Sequence, residues 1–267
     1  MNRWLLAALL LVVITALMVA FIGLLALPRI PDDLNQIALN NPTIIYGDDG
    51  RIVKMLANRQ VVNIDQVAPL FLQATVTLED AGFYAHEGFS KKGFFRALWS
   101  NVTKMRVRQG GSTITQQLAK NLFFGFDRSW WRKVKEALVA MQIEQQFSKA
   151  KILEAYVNQI DFGSGVYGVE LASQTYFAKH ARDLTLAEAA MLAGIPRWPS
   201  RYNPFSNEKV ARERQTFVLR RMMENSAITP AQMQAGLAQT LALPRINPLQ
   251  GNAEYFVQEV QIGRAHV

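Results

Sequence analysis

A long apolar run near the N-terminus constrains this chain more than any other feature. Only Thr15 and Gly23 interrupt the apolar residues from Trp4 to Leu27, and as a helix this run is long enough to cross a hydrocarbon core of roughly 30 Å. A cleaved signal peptide is the competing interpretation, but its apolar region is usually shorter and is followed by a small-x-small cleavage site. Because this run ends in Leu-Ala-Leu-Pro-Arg, we predict a retained transmembrane helix.

Charged residues on either side of the run predict its orientation. Arg3 and the amino terminus precede it, whereas Arg29 beyond it is offset by Asp32 and Asp33. The excess of positive charge before the span predicts that the N-terminus is cytoplasmic and that the remainder of the chain lies outside. The chain has no cysteine, which excludes a disulfide framework and thiol chemistry.

The pattern after the apolar run predicts a small β-hairpin followed by a helical domain. Thr43–Tyr46 and Arg51–Leu56 are short β-rich segments joined by Gly-Asp-Asp-Gly, which is typical of a hairpin. From Ile64 onward the periodicity is helical, and no alternating series of strands interrupts it, so we expect a mainly α domain. Capping residues predict its helix boundaries, namely Ser129, Ser148, Thr185 with Glu188, Gly194 with Pro196, and Thr229 with Pro230.

Positive charge is concentrated in one part of the chain. Between Glu79 and Lys151 there are thirteen Lys and Arg residues against six Asp and Glu, so this segment carries +7 of the net +8. Phenylalanine and tryptophan residues are interleaved with these cations. On an anchored chain this combination suits an anionic lipid surface or an amphiphilic anionic substrate. Nucleic acid is the alternative partner for such a patch, but a location outside the cytoplasm argues against it.

Two neighbouring carboxylates lie where an apolar helix is expected to end. Glu79 and Asp80 follow the apolar segment Pro69–Leu78, at the edge of a core element, where partial desolvation suits a carboxylate to act as a general base. An acidic pair at this end opposes the helix dipole, which argues against an ordinary solvated helix end. His86 is a candidate switch or ligand. Because the chain has three histidines and no His-Glu-x-x-His motif, we interpret it as a structural histidine.

The polar stretch Arg108–Phe124 contains a second group of candidate residues. A glycine pair opens it, and its hydrogen-bonding side chains are Ser112, Thr113, Thr115, Gln116 and Gln117. Two interpretations stay open, a loop followed by an N-capped helix or a polar cradle for a ligand. Further along, Arg132 and Lys133 stand at helical spacing from Glu136, which by itself predicts a surface ion pair.

Five motifs in order resemble one known family. They are Glu79-Asp80-x-x-Phe83-x-x-His86, Gly-Gly-Ser-Thr-Ile-Thr-Gln-Gln, Arg-Lys-x-x-Glu, Ile-Leu-Glu-x-Tyr-x-Asn and Gly-x-x-Gly-x-x-x-Ala-x-x-x-Tyr-Phe. In this order they are similar to the motifs of peptidoglycan glycosyltransferases, the transglycosylase modules of class A penicillin-binding proteins. The resemblance implies a mainly α, lysozyme-like domain in the bacterial inner membrane, single-pass, with its catalytic domain periplasmic.

The resemblance also implies an activity, which is polymerisation of lipid II into β-1,4 glycan strands with inversion and release of undecaprenyl pyrophosphate. It implies that Glu79 is the general base and that a divalent metal ion, Mg2+ or Mn2+, assists. The position of the metal is left open, with the region of Glu79 and Asp80 and the pyrophosphate as candidates. The implied catalytic residues are Glu79 and Glu136, and the implied substrate-binding residues are Asp80, Phe83, His86, Gly111, Ser112, Thr113, Gln116, Gln117, Lys120, Arg132, Lys133 and Asn158. The implied partners are lipid II, the growing glycan strand, membrane lipids and the cell-wall synthesis machinery.

Class A proteins also carry a transpeptidase domain, and Ser148-Lys149-Ala150-Lys151 matches its Ser-x-x-Lys nucleophile motif. The partner motifs Ser-x-Asn and Lys-Thr-Gly are absent from the chain, so we interpret Ser148 as a helix cap. We expect the chain to be the truncated front part of a bifunctional enzyme. Its expected divisions are 1–28 (cytoplasmic stub and transmembrane helix), 29–63 (membrane-proximal linker and hairpin), 64–245 (glycosyltransferase domain), 246–261 (start of a connector) and 262–267 (non-native tail).

Two other functions are compatible with a helical, lysozyme-like chain. One is a lytic enzyme that cleaves finished glycan, and the other is a non-catalytic, membrane-anchored scaffold. The membrane anchor and the motifs for a pyrophosphate donor argue against the first. The presence of Glu79 together with the Gly-Ser-Thr-Gln stretch argues against the second.

Overall fold

The computed structural model describes residues 27–35, 43–46, 52–56, 60–88, 112–124 and 130–243, with only the backbone at 43–46, 52–56 and 130. In this part of the chain the domain is mainly α-helical, as predicted. The helices are α1 (Pro69–Glu79), α2 (Ile114–Phe123), α3 (Trp130–Gln146), α4 (Lys149–Gln159), α5 (Val169–Phe177), α6 (Leu186–Gly194), α7 (Pro199–Tyr202), α8 (Glu208–Glu224) and α9 (Pro230–Ala238).

Two strands precede these helices. Strand β1 (Thr43–Tyr46) pairs antiparallel with β2 (Ile52–Leu56), with Thr43 opposite Leu56 and an irregularity between Ile45 and Tyr46. Among the residues that the structure describes, no helix is long and apolar enough to cross a membrane. The predicted transmembrane run lies outside the described residues except for Leu27.

Helix α6 lies at the centre of the core. All its residues from Ala187 to Gly194 are buried, and it packs mainly against α8 and α1. Its small side chains allow this close approach, and a Cβ at Gly194 would lie 2.9 Å from Cγ of Arg214. Because α1 packs on this central helix, the end of α1 has a fixed position in the domain.

Several helix boundaries agree with the capping residues predicted from the sequence. Thr185 and Glu188 form a capping box at the start of α6, and Thr229 caps α9, whose first residue is Pro230. Ser148 caps α4 by accepting a hydrogen bond from the backbone N–H of Lys151. The Ser-x-x-Lys match is therefore a helix start.

A tight glycine-rich turn joins α4 to α5. Its backbone closes through an isolated bridge between Asp161 and Tyr167 and a 2.9 Å hydrogen bond from Gly168 N–H to Ile160 O. Gly165 and Gly168 both have positive φ angles, of 75° and 84°. Their surroundings differ, because a Cβ at Gly168 would lie 2.9 Å from the carbonyl oxygen of Asn158, whereas nothing lies within 4 Å of one at Gly165.

This difference predicts unequal effects of two alanine substitutions. Gly165→Ala should lower the free energy of unfolding by about 1–2 kcal/mol, because only the positive φ is penalised. Gly168→Ala should lower it by roughly 1–3 kcal/mol more, because the added methyl group also collides with the end of α4. Urea unfolding of the detergent-solubilised protein, followed by helical circular dichroism, measures both values. Equal losses for the two variants would contradict the packing of this turn against α4.

Candidate active site

The end of α1 presents the two carboxylates that the sequence singles out. Glu79 is the last residue of α1 and is partly exposed, and Asp80 follows as its C-cap. From α2, the side-chain amide of Gln117 donates a 2.9 Å hydrogen bond to Oε2 of Glu79. The structure thus brings together one residue from each of the first two motifs.

Asp80 connects three segments of the chain. One of its carboxylate oxygens, Oδ2, accepts a 3.2 Å hydrogen bond from the backbone N–H of Ile114, the first residue of α2, and lies 2.8 Å from Nε2 of His86. The two side chains are 7% and 9% exposed. A carboxylate at a helix N-terminus is favoured by the free N–H groups and by the helix dipole. Both Asp80 and His86 therefore make contacts within the protein that fix the start of α2 beside the end of α1.

Glu136 lies on α3 and is buried, with 1% exposure. Its two oxygens lie 2.9 Å from Nε of Arg132 and 2.7 Å from Nζ of Lys133. The pairing agrees with the helical spacing, but the expectation of a surface ion pair is wrong for the carboxylate. Because an unpaired buried carboxylate is costly, Glu136 fixes the positions of both cations.

Lys133 connects this cluster to α2. Its ammonium group also donates a 2.7 Å hydrogen bond to Oγ of Ser112, just before α2, while half of its side chain remains exposed. Farther along α2, Lys120 is exposed and lies three residues beyond Gln117, which places the two on neighbouring positions of the helix surface. The Gln117–Glu79 contact therefore lies between two cations, with Lys133 near the start of α2 and Lys120 farther along this helix.

Four predicted substrate-binding side chains are buried and contact the protein itself. Phe83 is fully buried, and Thr113, Gln116 and Asn158 are 3%, 4% and 1% exposed. The Thr113 hydroxyl donates to the carbonyl oxygen of Gly88 and accepts the N–H of Gln116 as the cap of α2. Asn158 forms a pair of hydrogen bonds with the backbone of residue 62. Gly111 lies outside the described residues.

The sequence motifs did not reveal the roles of several buried or partly buried polar residues. Glu144 lies 2.5 Å from the Thr115 hydroxyl and 2.8 Å from Nζ of Lys149, which in turn reaches the carbonyl oxygen of His86. These contacts join α2, α3 and the start of α4 behind the site. On α4, Tyr156 donates a 3.1 Å hydrogen bond to Oε1 of Gln117. Tyr156 belongs to the fourth motif, so the sequence could have indicated a role for it. No motif indicates a role for Glu144 or Lys149.

A further cation lies on α8. Arg214 donates to the carbonyl oxygen of Gly194 and stacks on the rings of Tyr202 and Phe217. Burial lowers the pKa of its guanidinium group, an effect that the negative charge of Glu79 partly offsets. Helix α8, which bears this cation, packs on α1.

The arrangement suits the transfer of a chemical group from an anionic leaving group, such as a phosphate, to the oxygen of a hydroxyl group. A partly exposed carboxylate can accept a proton from a hydroxyl group. The exposed ammonium groups of Lys120 and Lys133 can stabilise negative charge on a leaving group such as a phosphate.

Comparison with known proteins identifies the domain. Residues 49–223 match the family model described as Transglycosylase. Penicillin-binding protein 1A of Aquifex aeolicus is 43% identical over 219 residues, or 81% of this chain and 30% of that protein. Penicillin-binding protein 2D of Bacillus subtilis is 41% identical over 208 residues, or 77% of this chain and 30% of that protein.

A crystal structure of penicillin-binding protein 1A from Haemophilus influenzae aligns with 84% of this chain and 24% of that one, at 24% identity and a TM-score of 0.47. The chain spans about a third of the length of the curated relatives that it matches. The family match begins between β1 and β2 in the sequence, extends over most of the described helices and ends in α8. This chain belongs to the transglycosylase family.

Proposed function

We propose that this chain is a peptidoglycan glycosyltransferase that polymerises lipid II into β-1,4 glycan strands, with inversion and release of undecaprenyl pyrophosphate. The observation that carries the proposal is the position of Glu79, which accepts a hydrogen bond from Gln117 on the same helix that bears Lys120 and begins beside Lys133. Family membership supports the same reaction class.

In this mechanism Glu79 is the general base. One of its oxygens is engaged by Gln117, and the other accepts the proton of the acceptor sugar's 4-hydroxyl group. The acceptor oxygen forms the new bond to the anomeric carbon of the donor while the bond from that carbon to the pyrophosphate oxygen breaks. Attack from the face opposite the leaving group inverts the configuration.

The leaving group needs positive charge more than it needs a proton, because pyrophosphate is stable as an anion once its charge is neutralised. Lys120 and Lys133 supply exposed ammonium groups. Arg132, which pairs with Glu136, adds to the positive electrostatic potential. Glu136 is buried between two cations, so its role is to hold and orient them. Ser112 limits the motion of Lys133 through their 2.7 Å contact.

A divalent metal ion is part of the proposal. Among the residues that the structure describes, no group of three or more His, Cys, Asp or Glu side chains forms a metal site. Asp80 and Glu136 are engaged by protein donors, and Glu79 by Gln117 through one oxygen. With the free oxygen of Glu79 reserved for the acceptor proton, an Mg2+ or Mn2+ ion would be held mainly by pyrophosphate and water. Such an ion supplies additional neutralisation of the leaving group.

The proposed setting is the bacterial inner membrane, with the N-terminus cytoplasmic and the domain periplasmic. The apolar run Trp4–Leu27 and the basic, aromatic segment support contact with the bilayer in which the lipid tail of the substrate lies. The growing glycan strand is the second substrate, and membrane lipids and the cell-wall synthesis machinery are the proposed partners.

Replacing the proposed base tests the function. Glu79→Gln keeps the size of the side chain but removes the proton acceptor, so polymer formation from labelled lipid II should fall by roughly 100- to 10,000-fold. Glu208→Gln, which changes an exposed carboxylate on α8, is the matched control and should retain parental activity. The measurement is polymer yield from the detergent-solubilised protein with Mg2+ or Mn2+.

Three outcomes of this assay contradict the proposal. Equal polymer from Glu79→Gln and the parent removes Glu79 from its role. Release of fragments from finished glycan, without polymer from lipid II, identifies a lytic enzyme. No reaction with either substrate identifies a non-catalytic scaffold.

A second substitution tests the neutralisation of pyrophosphate. Lys120→Met removes an exposed cation on α2 and should lower kcat/KM for lipid II by about 10- to 100-fold, the value of a hydrogen bond to a charged group. Lys209→Met removes another exposed lysine, on α8, and should change kcat/KM by less than about twofold if the effect is local. Similar losses in both variants would show that only the overall charge of the domain matters.

A further inference from the structure

A chain of two hydrogen bonds leads from the interior of the domain to Glu79. The Tyr156 hydroxyl donates to Oε1 of Gln117 over 3.1 Å, and Nε2 of Gln117 donates to Oε2 of Glu79 over 2.9 Å. The three residues come from α4, α2 and α1. Because each belongs to a different packed helix, the chain exists only in the folded domain.

The chemistry of the three groups fixes the direction of the chain. A carboxylate only accepts hydrogen bonds, so Gln117 must turn its NH2 group toward Glu79 and its carbonyl oxygen toward Tyr156. The phenol must then donate. Tyr156 is 3% exposed, and burial, with the charges of Glu79 and Asp80, raises the pKa of its hydroxyl group well above the usual value. Tyr156 therefore stays protonated and remains a donor at any working pH.

Helix α4 holds Tyr156 firmly in place. The buried carboxylate of Glu154 accepts hydrogen bonds from the backbone N–H of Ile64 and from the side chain of Asn35, and Asn158 is paired with the backbone of residue 62. These contacts fix α4 on the side that faces Asn35 and residues 62 to 64. The Tyr156 oxygen is thus a fixed point against which the flexible side chain of Gln117 is aligned.

We propose that Tyr156 is a positioning residue for glycosyl transfer, which acts through Gln117 to fix the orientation of the Glu79 carboxylate. The inference rests on the function proposed above for Glu79. With Oε2 engaged, the carboxylate cannot rotate freely, and its other oxygen keeps one direction toward the acceptor hydroxyl. Without the phenol, the Gln117 amide can turn and the carboxylate loses this alignment. Orientation of a base toward the reacting proton affects the chemical step more than substrate binding.

Tyr156→Phe removes only the donating oxygen and should lower kcat with lipid II about tenfold, the value of roughly one hydrogen bond, while KM changes by less than about twofold. Tyr176→Phe is the matched control, because Tyr176 is also fully buried and donates a 2.8 Å hydrogen bond to the carbonyl oxygen of Phe162. It should lower thermal stability and leave kcat unchanged. An equal loss of kcat in the two variants overturns the proposal.

A double-mutant cycle separates action through Gln117 from a general effect on stability. Gln117→Ala should lower kcat at least as much as Tyr156→Phe, and the double variant should be no slower than Gln117→Ala alone. Independent, additive losses overturn the proposal, as does unchanged kcat in Tyr156→Phe.

The orientation of the Gln117 amide can also be measured without catalysis. In protein labelled with 15N at glutamine side chains, the Gln117 amide signal is assigned by its loss in Gln117→Ala. Its 15N and 1H chemical shifts should move toward those of a free glutamine amide in Tyr156→Phe, but not in Tyr176→Phe. An unchanged Gln117 signal overturns the proposed positioning. A parent that forms no polymer but shows the expected signals overturns the proposed function and leaves the alignment by Tyr156 established.

Discussion

The hydrogen bond from the backbone of Ile114 to the carboxylate of Asp80 is the constraint on which the site depends. It joins the first residue of α2 to the cap of α1, and His86 holds the same oxygen from a third segment. With the start of α2 fixed in this way, Gln117 reaches Glu79 at the end of the first turn and Lys120 follows about one turn later. Loss of this contact would leave the Gln117–Glu79 hydrogen bond to hold the start of α2 beside the end of α1, and the proposed base and its surrounding cations would share a less fixed geometry.

Helix α4 extends this constraint into the interior. Its residues from Ile152 to Gln159 are all buried, and its polar side chains point to different parts of the domain. Glu154 and Asn158 hold residues that precede α1, whereas Tyr156 donates a hydrogen bond to Gln117. Buried polar groups are costly unless all of them are paired. Pairing of these side chains therefore stabilises one arrangement of helices, and the same arrangement orients the proposed base.

The sequence predicted the features of this fold that depend on neighbouring residues. The caps at Ser148, Thr185 and Thr229 join residues three positions apart, so a short motif contains both partners. The expected end of the first helix at the carboxylate pair also agrees with the structure. Contacts between distant residues were not predictable. The bond between Asp80 and Ile114 spans 34 positions, and the burial of Glu136 depends on how α2 packs on α3. Helical spacing alone therefore indicated a surface ion pair for a carboxylate that is buried.

The burial of Glu136 explains how basic residues can be concentrated beside a carboxylate that is the proposed base. One buried negative charge is shared by Arg132 and Lys133, so this cluster has a net positive charge and little freedom to move. Half of the Lys133 side chain is exposed, and one N–H of its ammonium group remains for a ligand. The cations are thereby fixed on α3 and do not collapse onto Glu79, which is held separately by a neutral amide. A neutral donor orients the carboxylate without compensating its charge, so the site can keep a base on α1 beside anion-binding groups on α2 and α3.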